Sequence, residues 1–298
     1  MEALLKVKEQ IKIFVEEIGD AKSLELLNLL SEGKMLRSKL ILKIAGVTEE
    51  SIKLCAIVEM IQSASLLHDD VIDEADTRRG KPSINALFDN KTSIMFGDIL
   101  YSKAFTQLTT MDKKIAYTIS NSVTLLSVGE MIDVDLTNSF NTSYDKYFDM
   151  IYKKTASLIE ASAKSAAILC GKDEEAFALY GKNLGLAFQM IDDILDITQD
   201  SQTLGKPAML DFVEGKVTIP YLLLHERVAD KCYLESLYKK ALTQEEIIWI
   251  KEQMEQTQAL ADSVKEAQKL GFEAIEAIKE YNNTDLENIM GDMINRSF

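Results

Sequence analysis

The sequence predicts an all-α protein of a single domain, and three observations carry that reading. Only 3 of the 298 residues are Pro and 13 are Gly, so little interrupts a helix. Apolar residues make up 47% of the chain, enough for a sizeable core. No run of alternating β-branched residues marks a strand, so strand content is expected to be minimal.

Along the chain, residues 1–30 are amphipathic and lead to a break at Gly33-Lys34. Thr48 is placed to cap a long helix running through Ile52, Ile57, Met60 and Ile61. A polar turn from Glu74 to Pro82 follows, and helical periodicity resumes near Ser93 and continues with short breaks to about residue 197. Residues 198–220 form a second loop carrying Gly205-Lys206-Pro207 and Gly215-Lys216 and ending at Pro220. Two capping boxes, Thr243 with Glu246 and Thr284 with Glu287, open later helices. No Ser/Gly/Pro-rich linker divides the chain, so residues 1–298 read as one domain.

The most informative feature is an acidic pattern that occurs twice: Asp69-Asp70-Val71-Ile72-Asp73 and Asp192-Asp193-Ile194-Leu195-Asp196. Within a helix, Asp69 and Asp73 share a face, as do Asp192 and Asp196, and like charges at that spacing repel. Asp is also a poor helix former. A lone acidic pair is ordinarily a solvated helix face. Here the flanks are apolar: Leu66, Leu67, Val71 and Ile72 around the first copy, and Ile191, Ile194, Leu195 and Ile197 around the second. Carboxylates in apolar walls, twice over, point to a bound divalent cation. Oxygen-only ligands favour Mg²⁺, which binds through one or two carboxylates and completes its shell with water and substrate phosphates. A diphosphate held between two such faces is the expected ligand. Each motif is followed by a loop with cations, Arg78 and Arg79 in the first and Lys206 and Lys216 in the second.

The formal charge is −15 without a basic stripe, so nucleic-acid binding is not expected. The three cysteines, Cys55, Cys170 and Cys232, lie far apart and indicate neither a disulfide framework nor a zinc site. The N-terminal residues lack a signal-peptide pattern, and no apolar run is long enough to span a bilayer. A soluble, reduced, cytoplasmic protein is the expectation.

These residues resemble the trans-prenyl diphosphate synthases, most of all their long-chain octaprenyl members. The resemblance runs from about Gly33 to Pro220, with a tail match at Arg296. It rests on Leu67-His68-Asp69-Asp70-Val71-Ile72-Asp73 with Arg78-Arg79-Gly80-Lys81-Pro82, and on Gln189-Met190-Ile191-Asp192-Asp193-Ile194-Leu195-Asp196. The trailing segments Leu204-Gly205-Lys206-Pro207 and Glu214-Gly215-Lys216-Val217-Thr218 complete it. It implies a large helical barrel around a central apolar cavity, and a homodimer. It also implies an enzyme that condenses isopentenyl diphosphate onto an allylic diphosphate. Asp69, Asp73 and Asp192 would be the main Mg²⁺ ligands, with Asp70, Asp193 and Asp196 in support and three ions per site once substrate is bound. Arg78, Lys154, Lys206 and Lys216 would hold the allylic diphosphate; Lys34, Arg37, Gln62 and Arg79 would hold isopentenyl diphosphate. Thr155 and Gln189 would sit near the reacting carbons. His68 is expected to orient a carboxylate and His225 to be structural. Met35, Ser38, Gln62 and Met209 depart from the family's usual residues, Met209 standing at a common Gly position.

Helix geometry adds a reading of product length. Ser65 and Ala64 lie four and five residues before Asp69, about 6–7.5 Å down the helix. They are candidates for the floor under the growing chain, with Ile61 deeper and the Gly129–Asp133 stretch as an opposing wall. Both floor residues are small where a bulky aromatic would block elongation, and with the resemblance to octaprenyl members this implies a long product of roughly C40. The alternative is that they are small to let two helices approach. Competing functions are a C15–C20 synthase, a non-catalytic subunit of a heteromeric synthase, and a terpene cyclase. The complete acidic and basic sets argue against the subunit, and the second Asp-rich motif against the cyclase. Membrane contact is expected only transiently, for product release.

Overall fold

The computed structural model describes residues 2–31, 33–198 and 209–295. Lys206, its neighbours Leu204, Gly205 and Pro207, and Arg296 lie outside them. The described chain is helical almost throughout, as expected. The first helices are α1 (Glu2–Glu16), α2 (Ala21–Leu29), α3 (Leu36–Ala45), α4 (Glu49–Ile72), α5 (Ile84–Leu87) and α6 (Asn90–Leu108). They are followed by α7 (Lys113–Leu136), α8 (Tyr144–Ile151), α9 (Ser157–Cys170) and α10 (Glu174–Thr198). A π-helical segment, Tyr152–Ala156, joins α8 to α9. Further helices beyond residue 209 include Leu210–Glu214, Ile219–Arg227, Gln244–Gln256, Ala259–Ala277 and Thr284–Ile294.

Local chemistry explains most boundaries. Thr48 caps α4 through a capping box with Ser51, and Thr243 does the same with Glu246. The box expected at Thr284 is replaced by Asn283, whose side chain accepts the Leu286 N–H and moves the cap one residue earlier. Asp89 caps α6, which therefore begins before Ser93. The turn after α4 is a two-stranded hairpin pairing Thr77 with Pro82 and Arg78 with Lys81. Its loop residues Arg79 and Gly80 have φ of 54° and 74°, the type I′ turn that matches the twist of two-residue hairpins.

Two compact units partition the chain. One comprises Met1–Thr124 and Glu160–Ala178. Its centre is α4 packed on α6, with α1 and α3 also against α4. On these two helices Leu54, Ile57, Val58, Ile61, Phe96 and Leu100 are fully buried. The two helices approach closely at Gly97, where a side chain would collide with His68 and meet the Ala64 carbonyl at 3.3 Å. The Ser93 hydroxyl donates to the Leu67 carbonyl across the same interface.

The other unit comprises Leu125–Ile159 and Leu179–Phe298. Met190, Ile191, Ile194, Phe212, Tyr221 and Leu224 belong to its core, where Phe212 stacks on Tyr221 at 4.2 Å between ring centres. The π-helical segment is gripped from two sides by glycines. A Cβ on Gly129 of α7 would collide with the Lys154 backbone, and one on Gly185 of α10 would lie 2.5 Å from Ala156 Cα. The second loop of the sequence reading contains the helix Leu210–Glu214, opened by Met209 at φ 59°. That left-handed conformation favours glycine, the residue that the resemblance leads one to expect at this position.

Gly185→Ala should destabilise the protein by about 1–3 kcal/mol, because the neighbouring atom is backbone and cannot turn aside. Gly291→Ala, within the Thr284–Ile294 helix and with nothing inside 4 Å, should instead be neutral or stabilising by up to about 1 kcal/mol. Thermal unfolding of the two variants checks the contrast; equal destabilisation would refute it.

Candidate active site

In the first unit the acidic motif closes α4. The Asp73 N–H donates to the Asp69 carbonyl at 2.8 Å, so the two carboxylates stand one turn apart at the helix end. Asp69 is half-buried and Asp73 exposed, whereas Asp70 is 4% exposed. Asp70 is paired: Arg78 Nε lies 2.5 Å from its Oδ1. Burial holds the Asp70 carboxyl above the usual carboxylate range, with Arg78 opposing. The hairpin thus sends its two arginines apart. Arg78 returns to the motif, while Arg79 donates to the Ser31 carbonyl and lies across Gly33.

The remaining cation positions of this unit are equally specific. Lys34 is exposed, and Gln62 is half-buried. Arg37 is half-buried overall, but its Nε is enclosed and has no hydrogen-bond partner among the described residues. Burial lowers its pKa to about 10, against the pull of Glu59. Glu59 accepts from both the Ser38 N–H and the Ser38 hydroxyl, the latter at 2.6 Å. His68 Nε2 lies 3.1 Å from the Ile94 carbonyl and 3.5 Å from the Asp98 carboxylate, both on α6. Of the proposed floor, Ile61 and Ala64 are fully buried, and the Ser65 hydroxyl donates to the Gln62 carbonyl.

In the second unit, the carboxylates of α10 have different surroundings. Asp192 is half-buried, Asp193 is 4% exposed and Asp196 2%. Asp196 accepts the Asp211 N–H at 3.1 Å, tying the motif to the Leu210–Glu214 helix. Both Asp193 oxygens accept hydrogen bonds, one from Tyr147 at 2.6 Å and one from the Gln189 amide at 2.9 Å. Gln189 in turn accepts from the Thr155 hydroxyl at 2.9 Å. Three residues singled out from sequence, Thr155, Gln189 and Asp193, are therefore joined in one chain of hydrogen bonds.

Lys154, next to Thr155 on the π-helical segment, lies 2.8 Å from Glu130 and 2.5 Å from Asp133 of α7. Burial alone would lower its pKa, but Asp133 and then Glu130 outweigh it and hold the ammonium charged. Lys216 lies 3.1 Å from Glu214. His225 is 2.7 Å from Glu235 and rests on the Phe140 ring, in keeping with a structural place.

The sequence reading did not single out Tyr147, and placed Glu130 and Asp133 only in the opposing wall rather than beside Lys154. Two signals were available: Tyr147 and Lys154 are two helical turns apart, and Glu130 and Asp133 form an acidic i, i+3 pair directly after a glycine. Among the described residues no group of three or more His, Cys, Asp or Glu gathers to hold a metal. The donor set still fits Mg²⁺. The candidate ligands would all be carboxylate oxygens, and that ion takes only one or two from a protein before substrate phosphates and water complete the shell.

The Asp193 carboxyl is pushed up to about 8, by burial and by the Asp211 charge, with Tyr147 and Gln189 opposing. The folded protein therefore binds a proton that the unfolded chain releases between pH 3.8 and about 8. Stability from this group is present at the acid end and falls as pH rises through that window. In metal-free protein, thermal unfolding should lose less stability between about pH 5 and pH 8 for Asp193→Asn than for the unsubstituted chain. Equal losses would refute the assignment.

The polyprenyl synthetase family signature matches residues 23–257. The octaprenyl pyrophosphate synthase of Helicobacter pylori is 46% identical, with 98% of both chains covered and a TM-score of 0.93. A polyprenyl synthase from Caulobacter crescentus CB15, solved with calcium and isoprenyl diphosphate, is 28% identical, with 100% of this chain and 95% of that one covered and a TM-score of 0.89. The octaprenyl diphosphate synthase of Escherichia coli (strain K12) is 41% identical over 175 residues, 57% of this chain and 54% of that protein. The match thus spans about half the length of that curated relative. On the extent of the signature, the chain belongs to the polyprenyl synthetase family.

Proposed function

We propose that the chain is an Mg²⁺-dependent, long-chain all-trans polyprenyl diphosphate synthase. It would add isopentenyl diphosphate repeatedly to an allylic diphosphate such as farnesyl or geranyl diphosphate. The observation that carries this reading is the Thr155–Gln189–Asp193 chain beside a charged, half-buried Lys154 adjacent to Thr155. In the proposed reaction the allylic C–O bond breaks, leaving diphosphate and an allylic cation. The alkene of isopentenyl diphosphate then attacks the cation, and a proton is lost to the departing diphosphate. The Thr155 and Gln189 oxygens offer negative dipole ends to the cation, and Lys154, Arg78, Lys206 and Lys216 offer positive charge to the leaving group. Mg²⁺, when bound, would supply further charge neutralisation there. Asp69 and Asp73 on α4 and Asp192 on α10 are the proposed ligands for up to three ions. Asp70 and Asp196, both buried and engaged by Arg78 and the Asp211 N–H, are proposed to hold the motifs in shape instead. Lys34, Arg37, Gln62 and Arg79 are the proposed isopentenyl diphosphate set.

The long product is supported by the small Ala64 and Ser65 and by the relatives named for octaprenyl products. A C15–C20 product remains the second reading, favoured by one observation: α4 passes close to α6 at Ala64 and Gly97, which gives the small residue a packing role. A single functional domain is proposed because the boundaries between the two units fall within α7, α9 and α10 rather than in linkers. A homodimer is supported by Tyr117, Val128 and Met131, large exposed residues along one stripe of α7. A cytoplasmic enzyme is supported by three free cysteines. No described helix is long and apolar enough to cross a membrane.

Turnover of labelled isopentenyl diphosphate with farnesyl diphosphate and Mg²⁺, followed by chromatography of the dephosphorylated products, should give a ladder ending near C40. A ladder ending at C15–C20 would reject the long-chain reading, and no elongation with any allylic primer would leave a non-catalytic subunit in front. Asp69→Ala and Asp192→Ala should each lower turnover by several orders of magnitude. Near-normal turnover in either would overturn the metal assignment. Ala64→Phe should shorten the product to C15 or C20 if Ala64 is floor. An unchanged product from folded protein would assign it to helix packing.

A further inference from the structure

We propose that Tyr147 is a positioning residue for the reaction, acting through Asp193 on the amide of Gln189; this rests on the function proposed above. Tyr147 lies on α8, is 1% exposed, and its hydroxyl donates to Asp193 at 2.6 Å. The ring is fixed edge-on against Phe148 at 5.4 Å between centres. Four residues form the relay, two from each side. Tyr147 and Thr155 come from α8 and the π-helical segment, and Gln189 and Asp193 lie one turn apart on α10.

The direction of each hydrogen bond follows from the chemistry of its ends. With Asp193 ionised, both of its oxygens accept, one the hydrogen bond from the Tyr147 hydroxyl and the other that from the Gln189 amide. An acceptor there requires the NH₂ side of the amide, which turns the Gln189 carbonyl toward Thr155. The Thr155 hydroxyl must then donate to that carbonyl, leaving its own lone pairs directed elsewhere. A side-chain amide is nearly symmetric in shape, so packing alone does not choose between its two orientations. The carboxylate makes the choice, and Tyr147 fixes the carboxylate's plane. Without the hydroxyl, Asp193 keeps one partner and can rotate, and the Gln189 dipole loses its fixed direction. The cost should appear where charge develops on the substrate rather than where the diphosphates bind.

The test is a double-substitution cycle. Tyr147→Phe should lower kcat about tenfold, the size expected for one hydrogen bond to a carboxylate, with KM for both diphosphates unchanged within about twofold. Calorimetric binding of inorganic pyrophosphate with Mg²⁺ should be unchanged as well. Placed on Gln189→Ala, Tyr147→Phe should cost little more, because the dipole it positions is gone. Unchanged kcat, a raised KM, weakened pyrophosphate binding, or a full further loss on Gln189→Ala would each overturn the proposal. If Tyr147→Phe fails to fold, the isosteric Asp193→Asn carries the same cycle, since its NH₂ cannot accept from both partners. Absence of turnover in the unsubstituted enzyme would instead reject the functional reading beneath it, an outcome distinct from an active enzyme indifferent to Tyr147.

Discussion

A carboxylate buried in an apolar helix face must be matched by a charge or by hydrogen bonds, and this requirement organises both acidic motifs. The middle aspartate of each motif points into the protein and is answered there. Asp70 meets Arg78, and Asp193 meets Tyr147 and Gln189. The two solutions differ in kind. A guanidinium opposes the cost of burying Asp70, so this carboxylate anchors the hairpin that follows α4. Neutral donors leave Asp193 with a raised pKa and make it the centre of a polar chain through an otherwise apolar core. The sequence repeats the motif; the structure gives its two copies different chemistry. The flanking aspartates diverge too, since Asp73 stands exposed at the end of α4 while Asp196 is buried against the Asp211 N–H.

The second constraint is the backbone approach at the π-helical segment. A π-helical turn adds a residue to a helix and is frequent at functional sites. Here it carries Lys154 and Thr155, and glycines at 129 and 185 let α7 and α10 close on it. Closure from the α7 side brings Glu130 and Asp133 onto the Lys154 ammonium, while closure from α10 brings Gln189 onto Thr155. Two adjacent residues of one segment are thereby set in opposite electrostatic surroundings, one a fixed cation and the other part of a neutral dipole chain. A methyl group at either glycine would collide with the segment's backbone and displace these contacts.

Much of this was legible in the chain. Scarce Pro and Gly, the Thr48 and Thr243 caps and the apolar flanks of the acidic motifs gave the helices and marked the carboxylates. The Asn283 cap was missed because Thr284 fits the same four-residue pattern and only the observed backbone decides between them. The pairings were not legible, for a physical reason: Arg78 and Arg79 are adjacent and chemically alike, and they diverge only because Arg79 takes a left-handed conformation in the hairpin turn. The role of Tyr147 was hidden similarly, since a tyrosine on an amphipathic helix reads as ordinary core until its hydroxyl is seen to meet a carboxylate. Helix geometry placed Ala64 correctly below Asp69 but did not reveal that α6 passes at Gly97.

The proposed division of labour within each motif gives the middle aspartate a structural part and assigns the cations to Asp69, Asp73 and Asp192. Crystals of the unsubstituted protein grown with Mn²⁺ and pyrophosphate, read by anomalous scattering at the manganese edge, test it directly. The account predicts metal peaks at bonding distance from Asp69, Asp73 and Asp192, with Asp193 still held by Tyr147 and Gln189. A metal ion bonded to Asp193, or to Asp70 in place of Arg78, would contradict it.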